Sequence, residues 1–137
     1  MKNETKLQQK ILDFIRLSKN KKTGNDFISL GKITSSQARY FKKLLGLMVF
    51  GYERILSLRG VRHALNSHKN LKETDFLTIL LIVEYPDMVV LGNKPNTIVY
   101  RKDFDNSYIY VECVQMGKKK LEIKTFYKTK IKPPKSS

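Results

Sequence analysis

Apolar positions in the first stretch of the chain recur at helical spacing. Leu7, Ile11, Phe14, Ile15 and Leu17 fall on one face between Glu4 and Ser18 with lysines between them, which predicts an amphipathic helix. The charged segment KNKKTGND follows, where Gly24 supplies a stop and Asn25-Asp26 supply turn chemistry, so it reads as a linker. Thr34 or Ser35 caps a second helix, with Gln37 three residues after Thr34 in a capping-box arrangement. That helix carries Ala38, Phe41, Leu44 and Leu45 before Gly46 and Gly51. A third covers Leu58 to Ser67, and a fourth runs from about Thr74 to Glu84, where Pro86 ends it.

Beyond Pro86 the period changes. Met88–Leu91, Thr97–Lys102, Ser107–Gln115 and Lys119–Tyr127 are short segments rich in β-branched and aromatic residues. The gaps GNKPN, DFDN and MGKK are turn sequences, so the strands are expected to pair as an antiparallel meander. Alternation puts Ile109, Val111 and Cys113 on one face of the third strand. It puts Leu121, Ile123, Thr125 and Tyr127 on one face of the fourth, so that two hydroxyls continue a core face, as at the end of a cleft. The tail KTKIKPPKSS has no apolar cluster and is expected to be disordered beyond Ile131. The resulting fold class is α+β, N-terminal helices followed by a four-stranded antiparallel sheet. The organisation read from the chain is an N-terminal helix and basic linker over 1–32, a main domain over 33–130 and a tail over 131–137.

Composition sharpens this picture. The 137 residues suit one domain, and 27 Lys and Arg against 12 Asp and Glu leave a formal charge of +15. An excess of that size repels itself and favours a polyanionic partner, although charge alone does not separate DNA, RNA, acidic lipid and acidic protein. No apolar run is long enough for a membrane span, and polar residues occupy the N-terminal positions where a secretory signal places its apolar segment. The expectation is a soluble, unprocessed chain that makes no membrane contact, located in the cytoplasm or delivered to one. The lone Cys113 lies in the apolar run YIYVECV and is expected in the core.

The two histidines, His63 and His68, fall beside Arg62 and Asn66, at a spacing wrong for zinc ligands on successive helical turns. No metal and no cofactor is therefore expected. At about 100° per residue, His68 continues the apolar stripe of Val61, Ala64 and Leu65 while His63 projects elsewhere, so both rings meet only if the helix ends or bends near Asn66. The acidic pairs Asp103 with Asp105, Glu84 with Asp87, and Glu112 with Glu122 read as solvated charges. No phosphate-loop, dinucleotide-binding or serine-hydrolase string occurs. Basic residues interleaved with hydroxyls and aromatics remain: Arg101-Lys102, Lys118-Lys119-Lys120, and Lys124-Thr125-Phe126-Tyr127-Lys128. RNA is cleaved without metal when one group takes the 2′-hydroxyl proton, another protonates the leaving oxygen, and cations hold the phosphorane. Histidine suits the proton transfers, and Lys, Arg, Thr and Tyr suit the phosphate.

The string LGLMVFGYERILSLRGVRHALNSH, followed by EYPDMVVLG, NTIVYRK, YIYVECV and KKKLEIKTFYK, resembles the phage- and prophage-associated nuclease domains of the barnase/EndoU/colicin/RelE-like superfamily over roughly Ile33 to Tyr127. The resemblance implies a metal-independent endoribonuclease, acting on tRNA or other RNA in toxin or conflict settings and restrained by an immunity or antitoxin protein. By the same resemblance His63 is the general base, and His68 the proton donor or a phosphate contact. Arg101 or Lys102 would stabilise the phosphate, with Arg62 and Lys124 as further RNA contacts, and Thr125 and Tyr127 would bind or orient it. Lys69 follows His68 where the family often carries glycine. The competing readings are a catalytically silent nucleic-acid-binding module or phage accessory protein, and a basic protein whose main partner is an acidic inhibitor.

Overall fold

A computed structural model describes residues 2–20 and 26–131. Most of the expected linker and the tail beyond Ile131 lie outside them. In chain order the elements are α1 (Lys2–Asn20), β1 (Phe27–Lys32), α2 (Ser35–Leu45), β2 (Glu53–Ser57), α3 (Leu58–Ser67), a 3₁₀ helix (Glu73–Thr78), α4 (Ile79–Glu84), β3 (Met88–Leu91), β4 (Thr97–Asp103), β5 (Ser107–Gln115) and β6 (Lys120–Thr129). No helix among the described residues is long and apolar enough to cross a membrane.

The expected meander is present as β3 to β6, but the four-stranded antiparallel description needs correction. Among the described residues the sheet has six strands in the order β1-β2-β6-β5-β4-β3, and β2 pairs with β6 in parallel. The two added strands are short. β1 is broken by a register shift between Ser29 and Gly31, and β2 runs into α3 with no turn between them, so neither carries the long alternation that marks a strand. Residues assigned to the end of the linker instead form β1, the outer strand beside β2.

Local chemistry explains the helices. Thr34 accepts from the Gln37 backbone N–H at 3.2 Å while the Gln37 side chain accepts from the Thr34 N–H at 3.3 Å, and Gly46 closes α2 at φ 70°. Ser57, the last residue of β2, caps α3 through a 3.1 Å bond from the Gly60 N–H. The core lies between the helices and the sheet. α1 contributes Ile11 and Ile15, both fully buried, and the sheet contributes Tyr100, Tyr110 and Phe126.

Two sequence expectations fail within the sheet. Ile109, Val111 and Cys113 do share a face of β5, but it is the half-buried one: Tyr108, Tyr110, Glu112 and Val114 take the core side, so Cys113 is half-buried and not in the core. In β6 the register shifts opposite Val111 and Glu112: Glu112 faces Ile123 and Val111 faces Thr125, leaving Lys124 as an extra residue. This bulge splits the expected face. Leu121 and Ile123 stay with the core, and Thr125 and Tyr127 turn to the other side.

Glu112 also departs from the expectation of a solvated charge. It is fully buried, and its carboxylate accepts from Arg54 Nε at 2.8 Å and Nη2 at 2.9 Å and from the Tyr100 hydroxyl at 2.5 Å. Gln37 accepts from Arg54 Nη1 at 3.1 Å and donates to Glu84 at 2.6 Å, so the network ties α2, β2, β4, β5 and α4 together. Burial acts to lower the Arg54 pKa, but the Glu112 carboxylate, with Tyr100 and Tyr110 adding to it, leaves the value raised.

Candidate active site

Only Lys120, Leu121 and Glu122 of β6 pair with β2, so beyond Glu122 that side of β6 has no strand partner. Helix α3 covers it. A Cβ on Gly60 would stand 2.6 Å from both the carbonyl oxygen and the Cγ2 of Ile123, so glycine lets the helix backbone approach the strand. Farther along, Asn70 Nδ2 donates to the Lys128 carbonyl at 3.1 Å, and Lys128 Nζ meets Asp75 at 2.8 Å.

This contact places His63 beside the redirected end of β6. His63, Thr125, Tyr127, Lys124, Arg59 and Lys94 line one hollow of about 580 Å³. A third wall comes from the β3–β4 turn, where a Cβ on Gly92 would lie 2.1 Å from Thr97 Oγ1, and where that hydroxyl donates to the Lys94 carbonyl at 2.6 Å. Thr125 Oγ1 is buried and has no hydrogen-bond partner among the described residues. A buried hydroxyl left this way lacks its usual acceptor or donor, a place a bound phosphate oxygen would fill.

The other candidates are distributed differently. α3 ends at Ser67, and His68 caps it with extended backbone (φ −132°, ψ 90°). That end turns its ring onto Tyr127, stacked at 4.9 Å between centroids and 27° between planes, so His68 backs a lining residue and does not line the hollow itself. Burial, with the nearby His63 imidazole second, holds the His68 pKa below the ordinary value. Arg62 is half-buried on α3 and outside the lining. Arg101 shares the Thr125 and Tyr127 face, in a cross-strand row with Ile109 and Tyr127, but its guanidinium bonds to Asp103 at 3.2 Å and to Ser107 at 3.1 Å. Lys102 takes the opposite face, 3.7 Å from Asp87 and over the Phe104 ring at 5.5 Å. Neither residue reaches the hollow.

A family model described as phage-Barnase-EndoU-ColicinE5/D-RelE like nuclease3 matches residues 31–135. The chain belongs to this nuclease family. The match takes in α2 to β6, hence every residue lining the hollow, and leaves α1 outside. No curated protein and no solved structure matches the chain. In this phage-type nuclease the described residues include no group of three or more His, Cys, Asp and Glu side chains arranged for a metal ion.

Arg59 and Lys94 were not among the sequence candidates. Arg59 could have been found, because it precedes His63 by four residues and the two share one side of α3. Lys94 gave no such signal, since its place depends on how the β3–β4 turn folds back over the sheet. The hollow is lined by an imidazole, two hydroxyls and three cations, residue types suited to handling a phosphodiester.

Proposed function

We propose that this nuclease cleaves RNA, tRNA among its candidate substrates, without a metal, by attack of the substrate's own 2′-hydroxyl on the neighbouring phosphate. The observation that carries this reading is the convergence of His63, Thr125 and Tyr127 on one cationic hollow. His63 accepts the 2′-hydroxyl proton, and the new bond from O2′ to phosphorus forms as the bond to the 5′ oxygen breaks. The departing oxygen takes its proton from the Tyr127 phenol, against which the His68 ring is stacked. Thr125 Oγ1 donates to a non-bridging oxygen, and Arg59, Lys94 and Lys124 offset the charge that develops on the phosphorane. The products are a 2′,3′-cyclic phosphate and a free 5′-hydroxyl. Released in a cytoplasm, such an activity calls for an acidic immunity protein, an antitoxin or packaged delivery.

Purified protein with total tRNA in excess EDTA tests the reading on one gel. Cleavage by the native chain is expected, with His63→Ala and Thr125→Ala each slowing it by about 100-fold or more. Full activity in the His63→Ala protein removes the general-base assignment. Strongly salt-dependent binding without scission replaces the enzyme by a nucleic-acid-binding module.

A further inference from the structure

On the other side of Arg59 lies a second hollow, of about 470 Å³, lined by Phe27, Ser57, Arg59, Lys118, Lys120 and Glu122 among others. Arg59 and Glu122 border both hollows, so a chain crossing the first continues directly into the second. We propose that this second hollow holds a nucleotide one step beyond the two that flank the scissile phosphate, making the substrate an extended single strand; the inference rests on the RNA-cleavage reading and adds a subsite to it.

The chemistry of the walls supports this assignment. Phe27, at the start of β1, leaves 44% of its surface exposed, and Lys120 Nζ sits 3.9 Å above the ring centroid. The ammonium covers one face of the ring, so the base takes the other face while Lys120 meets its adjoining phosphate, combining the stacking and charge that single-strand binding surfaces use. Lys118 and Lys120 are set by the β5–β6 turn, where Lys119 adopts φ 54° and its carbonyl accepts from the Glu53 N–H at 3.1 Å. Glu122 does not spoil the site for an anion. Its carboxylate accepts from Ser57 Oγ at 2.5 Å and from Gln115 Nε2, and Arg59 Nη2 stands 3.7 Å away.

The test uses fluorescent 2′-O-methyl RNA, which cannot be cleaved, as a dinucleotide and as a hexanucleotide, with the full chain and four variants. The native protein is expected to bind the hexanucleotide more tightly than the dinucleotide. Phe27→Ala and the double variant Lys118→Ala/Lys120→Ala should each reduce that advantage by about tenfold. Phe27→Tyr, which keeps the stacking face, should retain it. Lys42→Ala/Lys43→Ala removes the same charge from α2, which touches β3 at the far edge of the sheet, and should leave the advantage intact. An equal loss in that control, or a full advantage in Phe27→Ala, overturns the subsite. Because the probe is not turned over, a protein that cleaves nothing in EDTA yet shows the expected losses keeps the subsite and loses only the catalytic reading.

Discussion

His68 shows how one side chain serves the site without entering it. Its imidazole lies against Tyr127, and burial followed by the neighbouring His63 lowers its pKa from the ordinary 6.5. The folded chain therefore holds this proton less tightly than the unfolded chain does. The stabilising contribution of His68 is fully present above about pH 6.5 and is lost as the pH falls through the lowered folded value. Titration of the two histidines by NMR should place His68 below 6.5, and His63→Ala should move it upward, with burial keeping part of the shift. A His68 value unchanged by that substitution would show that the two rings do not sense each other. At this scale half of the residues marked in the sequence meet at the candidate site: His63, Thr125, Tyr127 and Lys124 line the hollow, whereas His68, Arg62, Arg101 and Lys102 do not. Arg101 and Lys102 were marked on the same grounds but sit elsewhere, since charge says nothing about which face of a strand a side chain takes or which carboxylate it meets first.

Helix α3 and strand β6 form the working unit, and their separation is set at Gly60. Alanine there brings a methyl group to 2.6 Å from the Ile123 carbonyl, a backbone atom that cannot rotate away. Gly60→Ala should cost about 1–3 kcal/mol in chemical denaturation and should slow RNA cleavage beyond what that loss explains, because His63 moves away from Thr125 with the helix. Stability lowered with cleavage at the native rate would mean that the hollow tolerates a displaced α3. Much at this level could be read in advance. The capping box at Thr34 and Gln37, the stop at Gly46 and the bounds of β3 and β5 follow from residues close in sequence. β1 and β2 could not, because a strand of five or six residues without clear alternation is defined by what pairs with it, and those partners lie far along the chain.

Across the whole molecule, the Arg54–Glu112 pair holds helical and sheet layers in one arrangement. Both groups are almost wholly buried, and burial together with Glu112 keeps Tyr100 well above the ordinary tyrosine range, so its hydroxyl remains a donor. Glu112→Ala leaves the Arg54 guanidinium buried without its counter-charge and should cost about 3–5 kcal/mol in urea unfolding. Arg54→Met with Glu112→Leu, which removes both charges, should restore most of that loss. Recovery in the double variant would assign the cost to the unmatched charge, and no recovery would assign it to lost packing. Sequence reading missed this pair because Arg54 and Glu112 stand 58 residues apart.

The extra residue at Lys124 has a further implication for anyone comparing or rebuilding this chain. Odd and even positions exchange sides there, so the number of residues between Ile123 and Tyr127 decides whether the alcohols look outward or sink among the aromatics of the interior. Loss of a single amino acid in that short stretch inverts every later side chain of the strand, whereas a change of identity alters only one. In this enzyme, counting is part of the chemistry.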